Sequence, residues 1–287
     1  MEAICLTHEA MKTTFACRFF SVENRELAPS LAMECFHKVD EIEALLNRYL
    51  EGSEIHQINS MSKGDELFLH PLTHRCLLLG QEMYFKSRGV FDITLGVKIE
   101  QLKNGSKDQG DQEGGWEIDP ERPKILCGQA GRQLDLGGIG KGFALDVMAE
   151  YLRDWQPCDM VISAGASTQL VLGNREKRFE LLGDSKRMII GLEDLCLSAS
   201  GIGIQGVHIV SPQGLEGQPT FRRAWCIAKG AAFADAWSTA AMLMELGELE
   251  DILAENDEVI KFICEGHDGV WVEVGPWGGG ARWIDGD

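Results

Sequence analysis

Long apolar runs are missing from this sequence. No stretch approaches the roughly 18 apolar residues that a membrane-spanning helix needs. The opening MEAICLTHEAMKTTFACRFF also lacks the apolar core of a secretory signal. These two absences predict a cytoplasmic protein. Positive charge is scarce as well, with 27 Lys+Arg against 45 Asp+Glu and a net charge of −18. That excludes a general nucleic-acid binder, which needs a basic face, and a polybasic membrane-surface protein. It leaves open an anionic small molecule held by backbone N–H groups or through a metal. Paired cysteine motifs are absent too. The nine cysteines, at positions 5, 17, 35, 76, 127, 158, 196, 226 and 264, are odd in number and include no C-x-x-C. They read as reduced, mostly buried thiols rather than zinc ligands or a disulfide frame.

What is present is ordinary globular chemistry. The 287 residues are 44% hydrophobic and 25% charged, enough to bury a core in one large domain or two small ones. A first strand is expected over 11–22. Residues 28–50 carry Leu31, Cys35, Val39, Ile42, Leu45, Leu46 and Tyr49 at helical spacing. A second amphipathic helix is expected over 71–88, and a short turn or strand at Phe91–Thr94. Residues 100–115 hold almost no apolar side chain and read as a solvated loop or insertion. A strand over 132–136 should lead through glycines into a helix over 143–155. Strands follow near 159–163, 168–172, 179–182, 187–192, 195–199, 207–210 and 224–228. Helices are expected over 234–247 and 248–256, and final strands over 259–264 and 269–274. A glycine-rich tail, 276–287, would be exposed or loosely docked beyond a domain spanning 1–275. Hairpin-like strand groups separated by helices favour α+β over alternating α/β.

Several motifs invite a chemical reading. Gly201-Ile202-Gly203-Ile204-Gln205-Gly206 fits G-x-G-x-x-G, but Val207–Val210 follows as a strand where a dinucleotide fingerprint needs a helix. Gly140-Lys141 lacks phosphate-loop spacing, because Asp135 stands where that motif needs glycine. Asp135, three glycines, Lys141 and a helix start still suit a turn that cradles a ligand; the plainer alternative is a strand-to-helix turn with a surface lysine. Asp235 and Thr239 lie four residues apart, so their oxygens share a helix face. A carboxylate with a hydroxyl suits a hard cation such as Mg²⁺. An N-cap with a core-facing threonine is the alternative. His208 on a strand is either a packed residue or a base near neutrality.

These pieces stand in an order that resembles the ApbE family of FAD:protein FMN transferases. Asp135-Leu136-Gly137-Gly138-Ile139-Gly140-Lys141-Gly142-Phe143-Ala144-Leu145-Asp146 is similar to the family's DLGGIAKGYA-D. Asp235-Ala236-Trp237-Ser238-Thr239 resembles its metal segment, Phe91–Gly96 its FD-[IP]-T-V-G, and Tyr49–Asn59 its Y-x-x-x-SE stretch. Met11–Thr14 resembles MGT, and His208–Pro212 resembles HIIDP. The order holds from about residue 11 to about 265.

The resemblance implies an α+β fold: one ApbE-like domain related to the T-fold, antiparallel sheets flanked by helices, and FAD in a cleft between two lobes. It implies that Met11, Tyr49, Phe91, Asp92, Asp135, Lys141, Ile209 and Val210 contact FAD. The Gly138 carbonyl, Asp235, Ser238 and Thr239 would hold Mg²⁺, and His208 would be the general base. The implied reaction moves FMN from FAD to a threonine of an acceptor flavoprotein and releases AMP, from a monomer or homodimer. Hydrolysis of FAD by water, or binding without turnover, are the rival readings. Departures from the family pattern are Lys12 for the glycine of MGT, Ser167 for the acid of GGD, Ser211 for that of HIIDP and Ser238 for that of DAWDT. The lost carboxylates bear on metal binding and acceptor choice.

Overall fold

In the structure, a computed structural model, residues 3–20, 25–105, 114–155, 159–184, 186–202 and 219–284 are described. The chain begins with a hairpin of β1 (Ile4–Ala10) and β2 (Thr13–Phe19). The strand expected over 11–22 corresponds to β2, and β1 before it has no counterpart among the expected elements. Met11 and Lys12 form the turn, with φ of 50° and 59°. Left-handed backbone costs a non-glycine residue about 1–2 kcal/mol, so this turn lacks the glycine or asparagine that signals one.

Helix α1 (Leu27–Leu46) buries Leu31, Cys35, Val39, Ile42 and Leu46 along one stripe. The short α2 (Glu54–Asn59) is capped by Ser53, whose Oγ accepts the His56 N–H at 3.1 Å. Next come β3 (Glu66–Phe68) and α3 (Pro71–Lys86), which has proline in its first turn and is capped by His70. Helix α4 (Gly96–Lys103) runs into the polar stretch expected as loop from residue 100. Strands β4 (Gly115–Ile118) and β5 (Lys124–Gln129) follow, then α5 (Gly140–Asp154). The strand expected over 132–136 is reduced to a lone bridge between Leu95 and Gln133. A side chain takes the place of a partner strand: Asn59 accepts the Leu134 N–H at 2.6 Å and donates to the Leu134 carbonyl at 3.0 Å.

The second half contains β6 (Met160–Ala164), β7 (Thr168–Leu172), β8 (Lys177–Leu182), β9 (Arg187–Leu192), β10 (Cys196–Gly201) and β11 (Arg223–Ala228). Helices α6 (Ala231–Ala241) and α7 (Leu246–Glu255) then lead to β12 (Val259–Glu265), β13 (Trp271–Val274) and β14 (Ala281–Ile284). Eight strands form one sheet in the order β1-β2-β6-β7-β10-β11-β12-β13, with every pairing antiparallel. Two three-stranded sheets, β14-β9-β8 and β3-β5-β4, complete the fold. The strand expected over 207–210 lies outside the described residues. The glycine-rich tail is not loose along its whole length. Ala281–Ile284 pairs with β9, and Gly278, Gly279 and Gly280, all at positive φ, turn the chain into that register.

The centre of the large sheet is buried on both faces. Ala224, Cys226, Ala228, Phe262 and Cys264 face the core shared with helices α1, α5 and α6, whereas Trp225, Ile227 and Ile263 face the β14-β9-β8 sheet. Alternation splits apolar residues between two cores, so β11 and β12 are largely apolar on both faces, with Arg223, Lys261 and Glu265 as the charged exceptions. Among the described residues no helix is long and apolar enough to cross a membrane.

Candidate functional site

A cavity of about 560 Å³ opens between the Met11–Lys12 turn, the C-terminal end of α1, the Phe91–Leu95 segment, the start of α5, and α6 under β10. Its inner end is set by the packing of α5 on α6. A Cβ on Gly142 would lie 2.2 Å from the Ala231 carbonyl oxygen, so only glycine allows this approach. Asp146, one helical turn further along α5, accepts the N–H groups of Ala231 and Ala232 at 2.7 and 2.8 Å and so caps α6. Burial pushes the Asp146 carboxyl up, and the two amides work against that shift.

Asp235 sits in the first turns of α6 and is 3% exposed. Its Oδ2 accepts the Gly142 N–H at 3.2 Å and faces the Lys141 ammonium at 3.6 Å. Its Oδ1 accepts the Ser198 hydroxyl at 3.3 Å. Lys141 also donates to the Gly137 carbonyl at 3.3 Å. Ser238 and Thr239 both donate to the Asp235 carbonyl, at 2.9 and 3.2 Å. Ser200 on β10 lies 3.0 Å from the Ser238 hydroxyl and 3.2 Å from that of Thr239. A Cβ on Gly138 would lie 3.5 Å from Thr239 Oγ1 and 3.0 Å from the Phe91 ring, which puts this backbone beside both. The inner end therefore presents one buried carboxylate, one ammonium and a row of hydroxyls.

One wall carries Asp135. Arg48 Nη1 pairs with Asp135 Oδ2 at 2.9 Å, and Arg48 Nη2 donates to Gln133 at 2.6 Å. The Gly137 N–H donates to Asp135 Oδ1 at 2.8 Å. Sequence reasoning did not single out Arg48: the two residues are 87 positions apart, and no local pattern joins them. Asp92 accepts the Thr94 N–H and hydroxyl at 2.8 and 2.7 Å and pairs with Arg132 at 3.5 Å, so it holds its own loop in shape. Phe91 is buried, and its N–H donates to Ser87.

The mouth is built around Tyr49, which is 52% exposed. Its hydroxyl donates to Glu100 and accepts from Lys103 at 2.9 Å. The ammonium of Lys12 lies 4.8 Å from the ring centroid, with Arg48 at 5.4 Å and Lys103 at 5.5 Å. Burial, with the bond to Glu100, pushes the Tyr49 phenol up, and that same bond draws Glu100 below the usual carboxylate range.

The fold thus gathers Met11, Tyr49, Phe91, Asp92, Asp135, Gly138, Lys141, Asp235 and Thr239 around one cavity. Ser238 stands one bond behind its lining, and Ser167 lines it where the family pattern has an acid. His208, Ile209 and Val210 lie outside the described residues. Among the described residues no three His, Cys, Asp or Glu side chains gather as a metal cluster. Arg48, Lys103, Ser198 and Ser200 are additions that the sequence did not flag.

Comparison with known proteins follows the same lines. The family model described as "ApbE family" matches residues 11–264. A FAD:protein FMN transferase of Chlamydia pneumoniae is 24% identical over 258 residues, 81% of each chain. The apo flavinyl transferase ApbE of Pseudomonas stutzeri superposes with a TM-score of 0.77 at 18% identity, covering 95% of both chains. The ApbE protein of Thermotoga maritima superposes with a TM-score of 0.80, also at 18% identity, covering 95% of this chain and 97% of the other. At such identities the structural likeness carries the fold, a mixture of helices with antiparallel sheets.

Proposed function

The chain belongs to the ApbE family, and from that premise we propose that it transfers FMN from FAD to an acceptor protein, the activity for which its Chlamydia relative is named. The finer proposal is Mg²⁺-dependent transfer to a threonine hydroxyl, with release of AMP. One observation carries the reading. On a protein of net charge −18, one cavity sets four cations, Lys12, Arg48, Lys103 and Lys141, against four carboxylates, Glu43, Asp92, Asp135 and the buried Asp235, around an aromatic ring. That suits an aromatic ligand with a phosphate chain.

The residues at the inner end fit Mg²⁺. Asp235 and Thr239 offer hard oxygens, and the Gly138 backbone lies beside Thr239. The 3.6 Å separation of Lys141 from Asp235 leaves the carboxylate with acceptor capacity. A single carboxylate suffices where substrate phosphates complete the shell, so the lack of a larger acidic cluster among the described residues is compatible with this cation. When bound, Mg²⁺ would neutralise pyrophosphate charge as the phosphoryl group moves. Lys141 would hold a phosphate oxygen. Tyr49 and Phe91 would flank the planar ring, and the Arg48–Asp135 pair would fix the wall. His208 would take the threonine proton as the hydroxyl oxygen attacks the FMN phosphorus. The bond to AMP then breaks, and AMP leaves with its electron pair. Eight unbridged cysteines among the described residues support a reducing, cytoplasmic setting for this chemistry.

The test is AMP release from FAD by purified protein, with and without Mg²⁺, followed by chromatography. Metal-dependent AMP, with FMN appearing on added acceptor protein, is the expected outcome. No AMP in the presence of Mg²⁺ and acceptor would overturn the proposal and leave a binding protein.

A further inference from the structure

Four cations line the cavity, and three are already committed. Arg48 is held by Asp135 and Gln133, Lys103 by Tyr49 and Glu100, and Lys141 by Asp235 and the Gly137 carbonyl. Lys12 differs. Among the described residues it has no carboxylate partner and no side-chain hydrogen bond; its ammonium rests over the Tyr49 ring at 4.8 Å. An ammonium that forms no ion pair among the described residues, on the wall of a cavity that Glu43 also lines, can turn to an incoming anion.

The backbone beneath it supports a role in binding. Lys12 has φ of 59°, directly after Met11 at 50°, in a two-residue turn that glycine or asparagine would form without strain. Strained backbone of this kind persists where the surroundings fix it, and it concentrates at functional sites. This turn is wedged in place. The Met11 Cε would lie 3.3 Å from a Cβ on Gly140 at the start of α5. Thr13, on the other side, would lie 2.5 Å from a Cβ on Gly165. The turn therefore holds the base of Lys12 at a fixed place beside both the aromatic ring and the start of α5, while the side chain above it remains free to reach.

We propose that Lys12 is a specificity-determining residue whose ammonium pairs with a phosphate of a ligand stacked at Tyr49, so that the cavity selects phosphorylated aromatic molecules over the bare ring. The inference rests on the flavin-transfer reading for the identity of its probe, FAD. An ammonium–phosphate contact in a half-open site changes affinity by about fivefold to tenfold and weakens with salt.

The experiment measures dissociation constants for FAD and riboflavin by fluorescence, at low and high salt, for the parent, Lys12→Met, Lys12→Arg and Lys12→Gly. Lys12→Met should weaken FAD by about fivefold to tenfold, leave riboflavin unchanged and flatten the salt dependence. Lys12→Arg should retain FAD affinity. Lys12→Gly should melt at a higher temperature than the parent, because the turn is relieved, yet bind FAD as weakly as Lys12→Met. Those opposite signs separate a binding role from a structural one. Equal loss for FAD and riboflavin would overturn the proposal and assign Lys12 to the ring, and unchanged FAD affinity in Lys12→Met would remove the role. A parent that does not bind FAD would instead overturn the flavin-transfer reading. The comparison of ADP with adenosine then decides for Lys12: selective loss of ADP in Lys12→Met supports it, and equal binding overturns it.

Discussion

At the inner end of the cavity Asp235 is 3% exposed and its carboxylate is shared by Lys141, the Gly142 amide and Ser198. At the mouth Tyr49 is 52% exposed, and three long cationic side chains gather about its ring. The inner end is assembled from backbone, short hydroxyls and the locked contact of α5 with α6. Little solvent screens it, so each charge there acts strongly on its neighbours. The mouth is assembled from long, jointed side chains; those of Lys12 and Lys103 stand in water, where salt weakens each interaction, and Arg48 reaches the ring from the buried wall. Under the proposed function, bond breaking falls at the inner end, where fields are strong and fixed, and ligand choice at the mouth, where groups can move aside.

This division can be broken by experiment. Asp235→Ala should lower AMP release from FAD by about a thousandfold or more, through kcat, while circular dichroism and melting show a folded protein. Full activity in that variant would overturn the proposed metal assignment. Arg48→Met should act next most strongly. It leaves Asp135 without its counter-ion at a site where the two side chains are 11% exposed or less. Urea titration should show a loss of about 3 kcal/mol, and KM for FAD should rise by about tenfold to a hundredfold with kcat largely kept. A collapse of kcat matching that of Asp235→Ala would erase the distinction between wall and inner end. Asp146→Ala should have the smallest effect on turnover. It uncaps α6, so unfolding should become easier by about 2 kcal/mol while activity well below the melting temperature stays within about twofold. A loss of turnover far beyond that would make Asp146 part of the chemistry rather than a cap.

These three residues also show what the sequence could and could not convey. Asp235 and Thr239 share one helix face by their spacing, but the resemblance to the ApbE family was what raised them above a plain helix cap; Lys141 stood out because glycines precede it at a helix start. Helix α1 was legible from its apolar stripe, and β7 and β9 matched their expected spans. Arg48 was not legible, since the chain folds 87 positions onto itself to make its bond with Asp135. The Met11–Lys12 turn was hidden because its residues lack turn chemistry, so the expected strand started at the turn itself and β1 before it went unread. Residues 132–136 looked like a strand, but Gln133 and Asp135 find backbone partners at Gly96 and Ile93, and Leu134 between them goes to the Asn59 side chain, a partner that no local pattern announces. Gly140 begins α5 three residues before the expected Phe143, because a turn rich in glycine reads as non-helical until its neighbours fix it.

The row formed by Ser198, Ser200, Ser238 and Thr239 has a consequence of its own. Ser198, Ser238 and Thr239 each give their hydrogen to Asp235, the first to its carboxylate and the other two to its carbonyl. Within the row only Ser200 keeps a choice of direction, since its single hydrogen can serve Ser238 or Thr239 but not both. The row therefore has a built-in polarity, with its hydrogens spent on Asp235 and its spare lone pairs left for a newcomer. The inner end of the cavity is thus set in advance to greet a cation, with no hydroxyl there having to turn.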